Sequence, residues 1–320
     1  MLFWSKKFDP TKDLADLTGK VIIVTGANTG IGYSTVKHLA RRGAKVYLGS
    51  RSEEKGTLAI SKLQEEGIGS GEVVPLSCDL STPALAKKAA EDFLQRETRL
   101  DVLVNNAGLL HDHTDKPAQD GITEMMMVNH IGTFQFTTTL LPLLLKTSEE
   151  PNSDVRILTV TSDGHTRGVA AKPDINFSTM DEFKNTYAQE NIPYFARYFI
   201  SKLGNVLFTN ALQRRIASSS IICMSLHPGV SNTSFSRNTP FPRLVFFLMS
   251  LFVMTPDEGA HTSCFAAASP LVRQEADKYK GAYLEPIKIS QASENARKIE
   301  LQDQLWETTE KYLQSLDLSM

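Results

Sequence analysis

The chain has 320 residues, a formal net charge of −2 and a pI near 6.4, so it lacks the basic footprint that nucleic-acid binding needs. Its length supports a large buried core without covalent staples. Its three cysteines, Cys78, Cys223 and Cys264, are widely spaced and form no CxxC or Cys/His set. Neither a metal nor a disulfide framework is therefore indicated, and a reducing compartment suits the chain.

The opening stretch, MLFWSKKFDP, is too short and polar for a signal peptide. The longest apolar run is residues 244–254, LVFFLMSLFVM. A helix of that length falls short of the ~30 Å hydrocarbon layer, so no transmembrane span is expected. The run either lines a greasy pocket, packs in the core or a subunit contact, or touches a membrane surface. The closing LDLSM carries no retention or lipidation signal. The expected location is cytoplasmic or peripheral to a membrane.

Short β-rich runs alternate with helical patterns, as in a parallel sheet. Residues 21–25 read as a first strand and 30–42 as a helix ended by Gly43. Strand 45–49, helix 53–66 and strand 72–76 follow. Helix 83–95 precedes a fourth strand at 101–104, and a long helix covers about 120–146. Strand 155–160 is the fifth, and a helix carrying Tyr198 runs to about 216. Strand 221–226 is the sixth, 281–284 a seventh, and 294–316 a C-terminal amphipathic helix. The expected fold is a single-domain α/β doubly wound Rossmann sheet of about seven strands with helices on both faces. Within the one domain, residues 17–160 hold mainly the cofactor, 161–290 the catalytic and substrate part, and 291–320 the last helix.

Between the first strand and first helix lies Thr25-Gly26-Ala27-Asn28-Thr29-Gly30-Ile31-Gly32. Glycines let the backbone approach a pyrophosphate, and the helix N-terminus presents free amides to it. An NAD site would carry a carboxylate on the ribose about 20 residues further on. Ser50 and Arg51, just after the second strand, stand in that place instead, and an arginine there suits the 2′-phosphate of NADP(H). Asp79, followed by Leu80, either bonds the adenine amino group or caps the next helix. Asn106, Ala107 and Gly108 follow the fourth strand at its carboxyl edge and either pass along the cofactor or form a turn.

Tyr198 and Lys202 share one helix face at i and i+4. A cation beside a phenol favours the phenolate, and a phenol tuned toward neutrality exchanges protons with a carbonyl oxygen. The spacing alone is weak, because Tyr33 and Lys37 repeat it just after the glycine loop. There the tyrosine is expected to pack or face solvent.

Together these residues resemble the short-chain dehydrogenase/reductase family over nearly the whole chain. The TGxxxGIG pattern matches its standard oxidoreductase branch. The stretches DLTGKVIIVTGANTGIG, RRGAKVYLGSRSEEKG, DVLVNNAG, DGITEMMMVNHIGTF, YFISKLGNVLFTNAL and SLHPGV are most similar to the retinol-dehydrogenase-like group. The resemblance implies a catalytic tetrad. Tyr198 exchanges the proton, and Ser162 bonds the substrate oxygen. Lys202 lowers the phenol and holds the nicotinamide ribose, and Asn129 positions a relay water. It also implies a carboxamide site at Pro228, Gly229, Val230 and Thr233. The stretch between Ser162 and Tyr198 is longer than the family's usual one, so a loop over the pocket is expected. The implied activity is NADP(H)-dependent interconversion of a lipophilic alcohol with its aldehyde or ketone. A non-catalytic NADP(H) sensor or scaffold on the same fold is the alternative, with an isomerase behind it. A homodimer is a further expectation.

Overall fold

In the computed structural model the described residues are 8–110, 117–229 and 254–318. Val21–Val24 forms strand β1, its four side chains all buried. They alternate between two cores. Val21 and Ile23 join one and Ile22 and Val24 the other, so both faces of the sheet are covered. Helix α1 (Gly30–Arg41) follows, then β2 (Lys45–Ser50), α2 (Glu53–Glu66) and β3 (Glu72–Ser77). Helix α3 (Pro83–Leu94) leads to β4 (Val102–Asn105). Local chemistry sets these bounds. The Ser52 and Thr82 hydroxyls cap α2 and α3, and Pro83 sits in the first turn of α3, where no amide is needed.

The long helix expected from about residue 120 starts at Glu124 instead. Asp120 and Gly121 take positive φ in a 3-10 turn, and the Thr123 hydroxyl then caps the new helix. Residues Met127–Gly132 form a π-helical turn before α4 (Thr133–Ser148). Strand β5 (Arg156–Val160), α5 (Pro193–Arg215), β6 (Ile222–Leu226) and α6 (Pro256–Ala268) complete the central layers. A Thr255–Glu258 capping box starts α6.

Among the described residues the sheet has eight strands, one more than expected, ordered β3-β2-β1-β4-β5-β6-β7-β8. Strand β7 (Tyr283–Glu285) is parallel to β6, and β8 (Lys288–Ser290) turns back antiparallel at the edge. At three residues, β8 is too short to show a period in sequence. Strand β3 is the opposite edge and carries Pro75. The order reverses between β1 and β4, which opens a crevice at the carboxyl ends of the strands. The C-terminal helix is two pieces, Glu294–Arg297 and α7 (Ile299–Ser315). The break follows Asn295, whose buried amide donates to the carbonyls of Ala170 and Lys172 and pulls the first turn onto the 163–197 insert.

That insert is packed rather than open. It holds two 3-10 turns and a short helix, and Phe177, Phe183 and Tyr187 are buried in the core.

Candidate active site

The glycine loop lies at the switch point. Gly26 has φ of 62°, and a Cβ there would meet Ala107 Cα at 2.8 Å. A Cβ on Gly32 would meet Asn106 Nδ2 at 2.5 Å and the Gly26 carbonyl at 2.8 Å. Both positions are therefore closed to larger residues. Thr25 and Asn106 stitch the two loops together. The Thr25 hydroxyl accepts from the backbone amides of Asn106 and Ala107, and the Asn106 side-chain Nδ2 donates to the carbonyls of Thr25 and Gly26. Thr29 begins α1 without a side-chain cap, and no acidic residue follows in the first turn. The first amides of α1, from Gly30 and Ile31 on, are left for an anion. Asn28 is half-buried beside them.

Ser50 ends β2, one residue later than expected, and Arg51 follows it, the two differently disposed. Arg51 is exposed, while Ser50 is buried and donates its hydroxyl to the Ser52 carbonyl. Asp79 accepts from the Ser81 amide, and Thr82, not Asp79, caps the next helix. Leu80 is buried against Gly132, where a Cβ would meet its carbonyl at 2.2 Å and its Cβ at 2.9 Å. Pro228 is buried and Gly229 takes a φ of 88°. Val230, Thr233 and residues 244–253 lie outside the described residues.

The four tetrad candidates come together from three elements. Ser162 follows β5, Tyr198 and Lys202 lie on α5, and Asn129 sits in the π-turn. Turns of this kind widen a helix by one residue and recur at functional sites. The Ser162 hydroxyl meets the Tyr198 phenol, which is buried. Ser162 also bonds Asp163 Oδ1 at 3.2 Å and accepts from the Gly164 amide at 3.1 Å. Lys202 Nζ lies 5.6 Å from the Tyr198 ring centre and donates to the Val160 carbonyl at 3.0 Å. The neighbouring hydroxyl, Thr161, points away and donates to the Lys202 carbonyl.

Asn129 is clasped on three sides. Its Oδ1 accepts from the Leu109 amide at 2.6 Å, and its Nδ2 donates to the Leu109 carbonyl and the Ser201 hydroxyl. A carbonyl oxygen has a second lone pair, so one further donor fits. Gly108 brings that oxygen and the lysine into register: a Cβ on it would lie 3.1 Å from Lys202 Nζ and 3.4 Å from Asn129 Oδ1. Next along the π-turn, His130 Nε2 bonds the Thr309 hydroxyl at 2.8 Å and ties the turn to α7. Burial drives that imidazole down to about 3, so it stays neutral.

The electrostatics correct one expectation. Burial pushes the Tyr198 phenol up, above its ordinary value. The Ser162 hydrogen bond pulls the other way, and Asp163 adds to the rise. Burial, not the lysine, sets the direction of the phenol's shift, and burial also lowers Lys202 itself to about 8.

Sequence reasoning did not single out the apolar wall around the phenol. Leu109, Leu110, Met125, Tyr194, Phe195 and Phe199 form one apolar cluster with Tyr198. The signal was present: Tyr194 and Phe195 precede Tyr198 by four and three residues on one helix. The backbone of Leu109 and the Ser201 hydroxyl were also missed; no side-chain pattern marks them.

A strand–glycine-loop–helix at the switch point, with Ser, Tyr and Lys converging on the crevice from the next strand and helix, defines a dinucleotide-dependent oxidoreductase fold. The chain belongs to the short-chain dehydrogenase/reductase family. The short chain dehydrogenase family profile matches residues 20–173. A short-chain dehydrogenase/reductase of Armillaria gallica is 41% identical over 98% of this chain and 98% of its own length. Human retinol dehydrogenase 11 is 34% identical over 92% of this chain and 85% of its own. Among solved structures, an uncharacterized protein from Mycobacterium paratuberculosis has a TM-score of 0.69 at 27% identity, covering 94% of this chain and 96% of that one. The Pseudomonas aeruginosa RhlG/NADP active-site complex matches in fold, with a TM-score of 0.63 at 22% identity over 86% of this chain and 97% of that one. Among the described residues, no helix is long and apolar enough to cross a membrane.

Proposed function

We propose that the chain is an NADP(H)-dependent oxidoreductase that interconverts a lipophilic alcohol and its aldehyde or ketone, with Tyr198 as general acid and base. The observation that carries this reading is the Ser162–Tyr198 contact inside an apolar wall, with Lys202 beneath the ring. The residues present fit a nicotinamide dinucleotide. The amides of α1 are uncapped, Gly26 and Gly32 keep the loop backbone bare, and exposed Arg51 stands ready for a 2′-phosphate. When bound, the cofactor supplies the hydride for reduction and accepts it for oxidation.

The chain's own residues handle the proton. Ser162 and Tyr198 hydrogen-bond the carbonyl oxygen and polarise it. As charge builds on that oxygen, Tyr198 releases its proton to it, and the product is the alcohol. The phenolate left behind is stabilised by the nearby Lys202 ammonium and reprotonated along the Lys202–Asn129 side, where Gly108 leaves the path free of a side chain. In oxidation the same proton moves from alcohol to phenolate. The aromatic wall excludes water and favours a bulky apolar substituent, which accords with a relative named for retinol.

The test is a panel of aldehydes, ketones and alcohols with NADPH or NADP, followed by cofactor absorbance. Turnover of apolar carbonyls with NADPH is expected. Tight NADPH binding with no turnover across the panel would favour a sensor.

A further inference from the structure

On the face of the sheet away from the Tyr198 site, helices α1 and α6 pack together and bring His38, Asp257 and His261 into one group. His38 Nε2 lies 3.1 Å from Asp257 Oδ1. His261, one turn after Asp257 on α6, places its Nε2 3.8 Å from Asp257 Oδ2. The three ligand atoms all lie within 4.8 Å of one another. We infer that these three side chains form a binding site for a divalent transition-metal ion, with zinc the best match.

Two imidazoles and a carboxylate are a donor set that zinc accepts, with water in the fourth position. Metal–ligand bonds of ~2.0–2.1 Å in a tetrahedron place neighbouring donors roughly 3.3 Å apart. The 3.1 Å from His38 Nε2 to Asp257 Oδ1 lies near that value, and His261 Nε2 lies 3.8 Å from the other carboxylate oxygen, Oδ2. The third edge closes by rotation of the His261 ring, which keeps 19% of its side chain exposed. Asp257 is 44% exposed, which leaves the fourth position open to water. His38 is buried at the base, and Phe8 meets the His261 ring edge-on at 6.3 Å on another side.

Lys37 is the competing cation. Its ammonium lies 3.2 Å from Asp257 Oδ1 but also 3.6 Å from Glu66 Oε2. When a metal takes the Asp257 carboxylate, Lys37 keeps Glu66 as its partner, so no charge is stranded. The bound ion would clamp α6 to α1, the helix whose N-terminus carries the glycine loop.

The experiment uses the full-length, tag-free protein, stripped with EDTA and titrated with cobalt(II) chloride and then zinc chloride. One equivalent of cobalt is expected to bind, with the visible bands of a four-coordinate site. Zinc at about a hundredfold excess over its Kd should raise Tm by roughly 5 °C. His261→Gln and Asp257→Asn change rim side chains that the core does not depend on. Each should lower cobalt affinity by at least about tenfold and cut the zinc-induced shift by about half or more. No saturable binding by the wild type, or unchanged affinity in either folded variant, would overturn the site and leave a hydrogen-bonded His–Asp–His group.

Discussion

Helices α1 and α5 each present a tyrosine and a lysine four residues apart, yet their surroundings give the two pairs opposite uses. Both tyrosines have an ammonium near the ring: Lys62 at 5.4 Å from Tyr33 and Lys202 at 5.6 Å from Tyr198. Tyr33 donates its hydroxyl to Glu66 at 3.0 Å, and Lys37 is divided between Glu66 and Asp257. Burial and that carboxylate both push its phenol up. Tyr198 faces a serine hydroxyl instead of a carboxylate, and its lysine has no acidic partner among the described contacts. The i, i+4 spacing supplies a shared face. The polar group opposite the phenol decides whether that face locks a helix in place or exchanges protons.

The largest effect should come from removing the two hydroxyls in turn. Tyr198→Phe is expected to lower kcat by at least ~10³-fold, within the range of acid–base catalysis, with NADPH affinity within about twofold of wild type. Tyr33→Phe should leave kcat within about twofold. Steady-state rates and a fluorescence titration of NADPH check both, and comparable losses in the two variants would break the contrast.

Arg51→Asp tests the α1 side, where cofactor but not chemistry is at stake. Loss of a charge-assisted bond of ~1.5–3 kcal/mol should weaken NADPH roughly 10–150-fold, while NAD binding holds or improves. Titration with both cofactors decides it, and an unchanged affinity ratio removes Arg51 from phosphate recognition.

On the α5 side, Phe195→Ala should raise KM for bulky apolar carbonyls by about tenfold and for small ones much less, as expected for one hydrophobic contact worth ~1–3 kcal/mol. Equal effects on large and small substrates would detach the aromatic wall from substrate choice.

The smallest effect is on stability. Native Lys202 releases its proton near 8, whereas an unfolded lysine does so near 10.5. Between those values unfolding takes up a proton, so the native state gains stability as pH rises through that window. Lys202→Met should be more stable than wild type at pH 7 by about 1–2 kcal/mol, with the gap closing toward pH 10. Urea melts at pH 7 and 9.5 measure this, and a pH-independent gap would mean the ammonium is not desolvated.

Most of the sheet could be read from its alternation of buried runs and capped helices, because β1 to β6 and α1 to α5 each carry a local signal. Helix α6 was missed although its Thr255–Glu258 capping box is such a signal; the other losses lacked one. Strand β8 is three residues long and is held by β7, not by its own pattern. The break before α7 is made by Asn295 reaching the insert. At the site, the spacing of Tyr198 and Lys202 was visible, but the sign of the phenol's shift was not, since burial is a property of the packed state. His38 and Asp257 are 219 positions apart, and their meeting depends entirely on α1 packing against α6.

The two ends of the sheet have a consequence for how copies of this chain meet. One outer strand, β3, has Pro75 in its middle, a residue with no amide to offer a neighbour. The other, β8, is three residues long and carries Lys288. Short, proline-bearing and charged borders resist the templated strand addition that seeds aggregates. Among the described residues, these two borders leave little open backbone for strand-to-strand pairing of two copies, so a contact between copies would rest on side-chain fit.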